Sequence, residues 1–444
     1  MARKEELERM WERATDYLFN QRPAFERQGA AGYKPGLETS LALDRMYKEP
    51  HRNYRIIHIA GTNGKGSTAH MLASCLQRCG YRVGLFTSPH LVDFRERIRV
   101  NGRKISRSYV LQWVADYRKN PLEDYEPSFF ELTSTMAFDY FAWRHVNVAV
   151  VETGLGGRLD STNIVTPDLS IITNIGLEHQ QFLGNTVGEI AFEKAGIMKH
   201  GKPVVIGRAE GVVRDVFEAT AKRLYCDIKF AQDKPQVLSA KHIDGMLRLT
   251  TQDYGIIDCD LTGDYQVENV NTVLTALNML KRSKYRIKEE AIREGFAHVA
   301  ETTGLMGRWM KIGDTPRTIC DSAHNVAGIT QAMKQLGAEY YDTLHMVVGF
   351  MADKDVEGIL DLLPKKARYY FVQAHTPRAL PVDQLKDLAA KHGLKGEIYH
   401  HVTDALEAAR RVSGRKDLIY VGGSMYVLAE LLKALGYDDD KQDA

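Results

Sequence analysis

A glycine-rich segment, GTNGKGST at residues 61–68, carries the strongest chemical signal in this 444-residue chain. It follows the apolar run RIIHIA and precedes a stretch with helical character. Glycines allow a tight turn in which successive backbone N–H groups face one anion, and the N-terminus of the following helix adds a favourable dipole. Lys65 could then reach terminal phosphates, and Ser67 or Thr68 could approach a magnesium ion. The segment predicts a nucleotide site; the alternative is a strand-to-helix turn that binds no ligand.

Glu152 is a second candidate, because it ends the apolar run VAVV and precedes the glycine-rich TGLGGRLD. A carboxylate at the C-terminal end of a parallel strand lies where open α/β sheets place their ligands, and Mg²⁺ prefers such oxygen donors. We therefore expect Glu152 to be a metal ligand. The alternatives are that it caps a helix or pairs with Arg158.

Polar residues also follow two further strand ends. TNIGLEH at 173–179 ends in His179, with Lys194 shortly after it, and TICDSAHN at 318–325 follows Arg308. A lone histidine is more often a packed or surface residue than a ligand, so the case for His179 rests on its place beside other polar strand ends. If both halves direct their strand ends at one cleft, the second half would close over a nucleotide bound by the first.

These segments need a scaffold that brings strand ends together. From residue 55 to 207, short runs rich in Ile and Val alternate with longer helix-like segments, which is the pattern of βαβ units around a parallel sheet. The apolar character of NVAVV indicates a strand buried on both faces. The predicted strands are RIIHIAG, RVGLFTS, NVAVVETG, LSIITNIG and PVVIG, with helices near residues 66–79, 128–144 and 188–199.

The pattern changes from residue 226 to 261, where QVLSA, MLRLTT and GIIDCDL suggest an antiparallel addition. A helical stretch over 266–300 then ends in ETTGLMG, the predicted hinge. Beyond it TICD, HMVVGF, YYFVQ, EIYHH and LIYVGG predict a second doubly wound sheet. We therefore expect an α/β fold: an ATP-binding, P-loop-type parallel-sheet domain with a small antiparallel addition over 1–300, and a C-terminal Rossmann-like α/β domain over 301–444. The tail DDDKQDA is expected to be disordered.

Composition limits the classes of partner. Lys and Arg total 59 against 57 Asp and Glu, a formal charge of +2, which is too balanced to suggest a nucleic-acid surface. The five cysteines contain no C-x-x-C pair, so the sequence favours a reducing compartment, the cytoplasm, over a disulfide framework or a zinc site. The longest apolar stretches, such as residues 146–151, are too short to cross a bilayer, so we expect no membrane partner.

Beyond these single motifs, the sequence resembles the folylpolyglutamate synthase and dihydrofolate synthase family, relatives of the Mur cell-wall ligases, along essentially its whole length. The ordered agreement is more specific than any one motif. Besides GTNGKGST, the matching stretches are FTSPHL at 86–91, FFELTSTMAF at 129–138, ETGLGGRLDSTN at 152–163, EHQQFLGNT at 178–186, IAFEKAGIMK at 190–199, GDYQVENV at 263–270, GRW at 307–309 and DSAHN at 321–325.

The resemblance implies a nucleotide and metal site. The residues implied to hold ATP are Thr62, Asn63, Gly64, Lys65, Gly66, Ser67, Asn269, Arg308 and Asp321. Those implied to hold magnesium are Ser88, Glu152 and His179. Lys194 would be carbamylated by CO₂, which turns a cation into a carboxylate for a second magnesium ion. His324 would face the nucleotide or the incoming glutamate.

The resemblance also implies where the pterin end of the substrate lies. The residues carried over for it are Gly36, Leu37, Phe129, Phe130, Leu159, Asp160 and Ser161. Four positions depart from the usual family pattern: Glu178 stands where Asp is common, Thr153 where Val is usual and Ser322 where Gly is usual, and GGSMY at 422–426 replaces a T-G-S-L-Y-like run. None of these removes an implied ligand.

The expected reaction joins L-glutamate to dihydropteroate, to folates, or to both, in a monomer. A carboxylate would attack the γ-phosphate of ATP to give an acyl phosphate and ADP, and the amine of glutamate would then displace phosphate. Lys65 and the metals would act electrostatically, without a nucleophilic side chain. The alternatives are a Mur-type ligase that adds an amino acid to a nucleotide-linked peptide, and a nucleotide-binding regulator without catalysis.

Overall fold

The computed structural model describes residues 2–24, 34–122 and 124–437. The predicted disordered tail, residues 438–444, lies outside this part of the chain. An eight-stranded sheet organises the N-terminal region, in the order β4-β3-β2-β5-β1-β6-β7-β8. Its strands are β1 (Arg55–Ala60), β2 (Val83–Phe86), β3 (Ile98–Val100), β4 (Arg103–Lys104), β5 (Val148–Glu152), β6 (Leu169–Ile172), β7 (Val204–Ile206) and β8 (Ile228–Phe230).

The six strands from β2 to β8 in this order run parallel, and β3 and β4 form an antiparallel edge. All five residues of β5 are buried, which fits its continuous apolar sequence because helices cover both faces of the sheet. The helices are α1 (Ala2–Phe19), α2 (Glu38–Met46), α3 (Lys65–Arg78), α4 (Arg107–Lys119), α5 (Phe129–Trp143), α6 (Gln180–Leu183), α7 (Val187–Ala195) and α8 (Gly211–Leu224).

A three-stranded antiparallel sheet follows, made of β9 (Val237–Ile243), β10 (Met246–Thr251) and β11 (Gly255–Cys259). The antiparallel addition is therefore confirmed, but its predicted start at Cys226 is wrong. Ile228–Phe230 pairs parallel with β7 in the main sheet, because helix α8 supplies the crossover that parallel pairing needs.

The predicted helical stretch over 266–300 is three helices: α9 (Gln266–Arg282), α10 (Glu289–Ala297) and α11 (Val299–Thr303). The break after α9 contains Lys284 with φ +64°, a conformation that ends a helix. Helix α11 packs on α3, and the Thr303 hydroxyl lies 2.7 Å from Nδ1 of His70. The helical segment thus continues three residues beyond position 300, the predicted domain boundary. The division of the chain into two domains stays a prediction.

The C-terminal region has a six-stranded sheet in the order β12-β13-β17-β14-β15-β16, parallel except for β12. Its strands are β12 (Met310–Asp314), β13 (Arg317–Cys320), β14 (Leu344–Val348), β15 (Arg368–Val372), β16 (Gly396–Tyr399) and β17 (Leu418–Gly422). Its helices are α12 (Val326–Ala338), α13 (Val356–Leu362), α14 (Val382–Lys391), α15 (Val402–Val412) and α16 (Met425–Ala434).

The two-sheet α/β class and the five predicted strands of each sheet are confirmed. The antiparallel strands β3, β4 and β12 were not predicted. β4 and β12 are edge strands that pair on one side, and β3 has only three residues, so none of them needs a long apolar run. Among the described residues, no helix combines the length and apolar character needed to cross a membrane.

Helices α3 and α10 approach closely at Gly295, and this contact supports the helix that begins in the phosphate loop. A Cβ on Gly295 would lie 2.7 Å from Cα of Cys75 and 2.9 Å from its backbone nitrogen. We expect Gly295→Ala to lower stability by about 1–3 kcal/mol because the backbones must move apart. The measurement is the denaturant or thermal unfolding midpoint.

Gly337→Ala is the matched control, since Gly337 is also helical and a Cβ there meets no atom within 4 Å. This change should leave stability unchanged or raise it by up to about 1 kcal/mol, since alanine favours helix. Equal unfolding midpoints for the two variants would contradict the close-packing argument.

Candidate functional site

The loop between β1 and α3 has the backbone of an anion-binding turn. Gly61 and Gly64 have φ values of +146° and +84°, which side-chain-bearing residues rarely adopt. Helix α3 begins at Lys65, whose ammonium donates to the carbonyl oxygens of Gly61 at 2.9 Å and Thr62 at 3.1 Å. The lysine is therefore folded back over the loop. Its ammonium could exchange these two hydrogen bonds for a stronger interaction with an anion.

The end of β6 holds this loop in place. The backbone nitrogen of Thr62 donates to the carbonyl oxygen of Asn174 at 2.9 Å, and that of Asn63 donates to Oδ1 of Asn174 at 3.0 Å. The hydroxyl of Thr173 donates to the carbonyl oxygen of Asn63 at 2.6 Å. Two strand ends that the sequence singled out separately therefore form one structure.

Helix α9 closes another side of the loop. A Cβ on Gly64 would lie 2.2 Å from Oδ1 of Asn269, so the two residues are in direct contact. Asn269 donates to Gln266 at 2.8 Å, and Gln266 donates to the hydroxyl of Ser67 at 3.2 Å. The structure thus places Asn269 at the predicted nucleotide site.

Glu152 is buried beside the start of α3. Its Oε2 accepts from the backbone nitrogen of Ser88 at 3.3 Å, and a Cβ on Gly66 would lie 3.6 Å from the same oxygen. Burial raises the pKa of Glu152 to about 7, although Lys65 and Arg308 favour its ionised form. A buried carboxylate of this kind is stabilised by a cation that binds against it.

Lys194 in α7 and Glu178 in the segment after β6 form an ion pair, with Nζ 2.7 Å from Oε1. The lysine is buried and the glutamate is partly buried. Nζ also donates to the carbonyl oxygen of Gly61 at 2.8 Å, so Lys194 contacts the phosphate loop. Burial opposes ionisation of Glu178, but the charges of Lys194 and Lys65 prevail and lower its pKa to about 2. Burial lowers the pKa of Lys194 itself.

The C-terminal region reaches this site through two segments. Arg308 donates to the hydroxyl of Ser322 and lies near Gly66, with Nη2 3.7 Å from where a Cβ on that glycine would be. Asn325 donates to Oδ1 of Asn63 at 3.3 Å. Polar residues of the C-terminal region therefore lie at the phosphate loop of the N-terminal region, as the sequence suggested.

Asp321 is buried and its carboxylate binds protein groups. It accepts from the backbone nitrogens of Trp309 at 2.7 Å and Ala323 at 2.8 Å, and from the hydroxyl of Tyr265 at 2.8 Å. These bonds fix the linker that carries Arg308, residues 304–309 between α11 and β12. A direct contact between Asp321 and a nucleotide stays a prediction.

A cavity of about 540 Å³ opens beside the loop, between the two regions. The predicted site residues that line it are Ser88, Phe130, Leu159, Asp160, Ser161, His179 and His324. Gly36, Leu37 and Phe129 do not line it; Phe129 is buried and stacks on Phe19 with ring centroids 4.5 Å apart. Of the predicted pterin residues, four therefore line the cavity, Phe129 packs against a residue of its wall, and Gly36 and Leu37 lie outside its lining.

Asp160 shapes the cavity wall through its backbone contacts. Its Oδ2 accepts from the backbone nitrogens of Gly154 and Leu155, each at 2.8 Å, and Oδ1 accepts from that of Thr162 at 3.0 Å. Gly154 must be glycine for packing, since a Cβ there would lie 2.4 Å from the ring of Phe130. The glycine-rich segment after β5 therefore seats an aromatic ring at the cavity.

The residues expected to hold magnesium include one buried carboxylate, that of Glu152. Within the described ranges, no cluster of three or more His, Cys, Asp or Glu side chains could hold a metal. Mg²⁺ commonly uses one or two carboxylates together with substrate phosphates and water, and the buried Glu152 beside Ser88 supplies such a donor set. Burial lowers the pKa of His179 to about 4, which keeps its ring neutral as a metal ligand must be. The residues fit a magnesium ion that binds together with a phosphate ligand.

Sequence reasoning missed several cavity residues: His90, Arg97, Lys354 and Arg378. Lys354 follows β14 and could have been found by the same strand-end argument as His179. Arg97 lies in the charge-rich run FRERIRV, where the sequence gives no sign that all three arginines are buried.

Comparisons with known proteins match both regions. Residues 59–277 match the Mur ligase middle domain, and residues 307–425 match the Mur ligase, glutamate ligase domain. The dihydrofolate synthase/folylpolyglutamate synthase of Bacillus subtilis is 31% identical over 421 residues, which cover 91% of this chain and 96% of that protein. A probable bifunctional folylpolyglutamate synthase/dihydropteroate synthase of Haloferax volcanii is 35% identical over 410 residues, 89% of this chain but 48% of that longer protein.

Solved structures agree with these matches. Folylpolyglutamate synthase of Mycobacterium tuberculosis complexed with ADP superposes with a TM-score of 0.85 at 29% identity, covering 98% of this chain and 100% of that one. E. coli FolC in complex with DHPP and ADP gives a TM-score of 0.82 at 27% identity, covering 96% and 98%. The likeness extends over both sheets.

Burial of Glu152 predicts that the stability of the protein without ligands depends on pH. As pH rises from 4.5, the unfolded state ionises first, so the folded state loses relative stability until about pH 7, where its own carboxyl ionises. The loss amounts to roughly 3 kcal/mol at most. We expect Glu152→Gln to unfold at a higher temperature than wild type at pH 8 and at nearly the same temperature at pH 5, in EDTA. An equal difference in unfolding temperature between the two proteins at both pH values would contradict the raised pKa of Glu152.

Proposed function

The chain belongs to the folylpolyglutamate synthase and dihydrofolate synthase family of Mur ligases, and on this basis we propose that it joins L-glutamate to dihydropteroate, to folates, or to both, using ATP. The single observation that carries the proposal is the meeting of the phosphate loop, Glu152 and the C-terminal Arg308 beside a cavity with an aromatic wall. The relatives named for these two activities support the substrate class. The ADP-bound neighbours support ATP as the nucleotide.

The reaction has two steps. An oxygen of the substrate carboxylate forms a bond to the γ-phosphorus of ATP while the bond to ADP breaks, which gives an acyl phosphate. The neutral amine of glutamate then bonds to the acyl carbon, phosphate leaves with the C–O electron pair, and the amine proton passes to phosphate or water. Both steps need alignment and charge neutralisation more than a protein nucleophile.

The residues divide these tasks. The loop backbone over residues 61–67 binds the phosphates, Lys65 turns from its loop carbonyls to the terminal phosphates, and Arg308 adds a cation from the C-terminal side. Magnesium, held by Ser88, Glu152 and His179, would neutralise the triphosphate. His324 lines the cavity with its Nδ1 2.9 Å from the carbonyl oxygen of Ser322, and burial lowers its pKa to about 4, so it would face glutamate as a neutral ring.

The cavity would receive the pterin end against Phe130, Leu159, Asp160 and Ser161. Phe129 would shape this wall from behind through its stack on Phe19, and Gly36 and Leu37 would lie near the pterin end. Asn269 and Asp321 would hold the nucleotide from α9 and from the end of β13. We further propose that the protein works as a monomer in the cytoplasm without nucleic-acid or membrane partners. The five cysteines are free, which fits a reducing compartment.

Lys194 would be carbamylated in the active enzyme. Burial lowers its pKa and so favours the neutral amine that bonds to the carbon of CO₂ with loss of a proton. The product is an anion beside Glu178, so the present ion pair must open. Lys65, whose charge acts on both Lys194 and Glu178, is placed to compensate the two negative charges, as would a second magnesium ion.

Lys65→Ala should lower glutamate-dependent ADP release by about 100-fold or more, because the cation that stabilises charge on the transferred phosphoryl group is lost. The assay measures ADP with dihydropteroate or tetrahydrofolate as the acceptor. Lys222→Ala, at an exposed position of α8, is the control and should retain wild-type rates. Undiminished turnover of Lys65→Ala, with its unfolding midpoint unchanged, would contradict the proposed role.

Carbamylation predicts that activity depends on CO₂. Enzyme depleted of CO₂ should lose activity and regain it with bicarbonate, and ¹³C-labelled bicarbonate should give a carbamate NMR signal that is absent from Lys194→Met. Full activity after depletion, together with no labelled signal in wild type, would reject the modification while leaving the ligase assignment intact.

A further inference from the structure

Arg97 is a buried arginine that forms part of the cavity wall. It is 1% exposed and lines the cavity together with Ser88 and His90. Its Nε donates to Nδ1 of His90 at 2.8 Å, and its guanidinium carbon lies 5.1 Å from the ring centroid of Phe129. The direction of the guanidinium is therefore fixed by a hydrogen bond and by an aromatic ring.

The position of Arg97 sets it apart from the other cations of the cavity. The described Lys and Arg residues in the wall are Lys34, Arg97, Lys354 and Arg378. The charge of Arg97 acts on Glu152, on which Lys65 of the phosphate loop and Arg308 of the C-terminal region also act. Arg97 thus extends the positive charge at the nucleotide into the space where the second substrate would lie.

This place matches a requirement of the chemistry. The acceptor carboxylate and the triphosphate are both anions, and they must approach to about 3–3.5 Å for reaction. A cation on the cavity side of Glu152 offsets this repulsion, and a planar guanidinium can also orient a carboxylate through two parallel hydrogen bonds.

Resting on the proposed ligase function, we propose that Arg97 binds the substrate carboxylate that becomes phosphorylated and presents one of its oxygens to the γ-phosphate. His90 is a positioning residue that fixes the guanidinium. When the carboxylate oxygen bonds to phosphorus and ADP leaves, Arg97 stays paired with the other oxygen of the acyl phosphate. No proton moves to or from the arginine, and the phosphate later leaves with the C–O electron pair.

One rival role is binding of a carboxylate that does not react. Folates carry an α-carboxylate and a γ-carboxylate on their glutamate, whereas dihydropteroate has a single carboxylate, the one that reacts. A residue that binds the α-carboxylate would matter for folates alone. A residue that binds the reacting group would matter for any substrate of the enzyme.

The experiment compares Arg97→Gln and Arg97→Lys with the control Arg95→Lys, using dihydropteroate and tetrahydrofolate in turn. Arg95 is equally buried and two residues away, but it pairs with Asp93 at 2.7 Å and does not line the cavity. For each substrate that wild type accepts, Arg97→Gln should lower kcat/KM by about 100-fold. Arg97→Lys should lower it by about 10-fold, because lysine keeps the charge but cannot form the two parallel hydrogen bonds of a guanidinium. Arg95→Lys should stay within about twofold of wild type for each.

A binding cycle supplies a readout that does not depend on turnover. Wild type should bind dihydropteroate at least tenfold more tightly than the analogue whose ring lacks the carboxylate, and Arg97→Gln should bind the two equally. His90→Leu should reduce this preference, and His90→Asn, which restores an acceptor, should recover it. Binding of ADP by each variant verifies that the phosphate loop is folded.

Three outcomes overturn the proposal. They are wild-type kcat/KM in Arg97→Gln, a loss confined to tetrahydrofolate when wild type uses both substrates, and an unchanged preference for the carboxylate in the binding cycle. Failure of the ligase function itself is distinguishable, because wild type would then release no ADP with any combination of pterin and glutamate.

Discussion

The site depends on charges that the fold removes from water and then balances against one another. Glu152 is 2% exposed and Lys194 is 1% exposed, and neither would be tolerated so deeply without compensating charge. Glu178 pairs with Lys194, and the cations around Glu152 favour its ionised form, although burial still raises the pKa of Glu152 to about 7. Such an arrangement costs stability in the protein without ligands, and binding of the proposed nucleotide and divalent ion would offset that cost.

The parallel sheet makes this concentration of charge possible. Strands β1, β5 and β6 are neighbours in the sheet, so their carboxyl ends bring the phosphate loop, Glu152 and the segment before His179 to one edge. Glycine is required where these segments touch: a Cβ on Gly61 would lie 1.9 Å from the hydroxyl oxygen of Thr173. The C-terminal region contributes Arg308, which lies in the linker before β12. Hydrogen bonds to the buried Asp321 carboxylate hold this linker and so position Arg308 at the site.

The sequence allowed prediction of those parts whose signals are local. Strand β5 could be recognised because a strand covered on both faces is apolar throughout, and the phosphate loop because its glycines permit an unusual backbone. The burial of Arg97 could not be recognised, since it depends on pairing of β2 with β3 and on packing of α1, which bring Phe19 and Phe129 over a charged run. The role of Asp321 was equally hidden: its position in DSAHN suggested a ligand contact, and only the fold reveals the backbone nitrogens that it binds.

Glu178 shows how one substitution of the family pattern changes this balance. With Glu where Asp is common, the carboxylate reaches Nζ of Lys194 at 2.7 Å while the lysine also contacts the phosphate loop. The charges of Lys194 and Lys65 make this carboxylate a weak base, so it stays ionised over the whole physiological range. Any process that neutralises or inverts the charge of Lys194 must therefore supply a replacement cation to Glu178. The charge of Lys65 also acts on Glu178, and Lys65 is proposed to bind the terminal phosphates. If it does, occupancy of the nucleotide site and the charge state of Lys194 would be coupled through a single ammonium group.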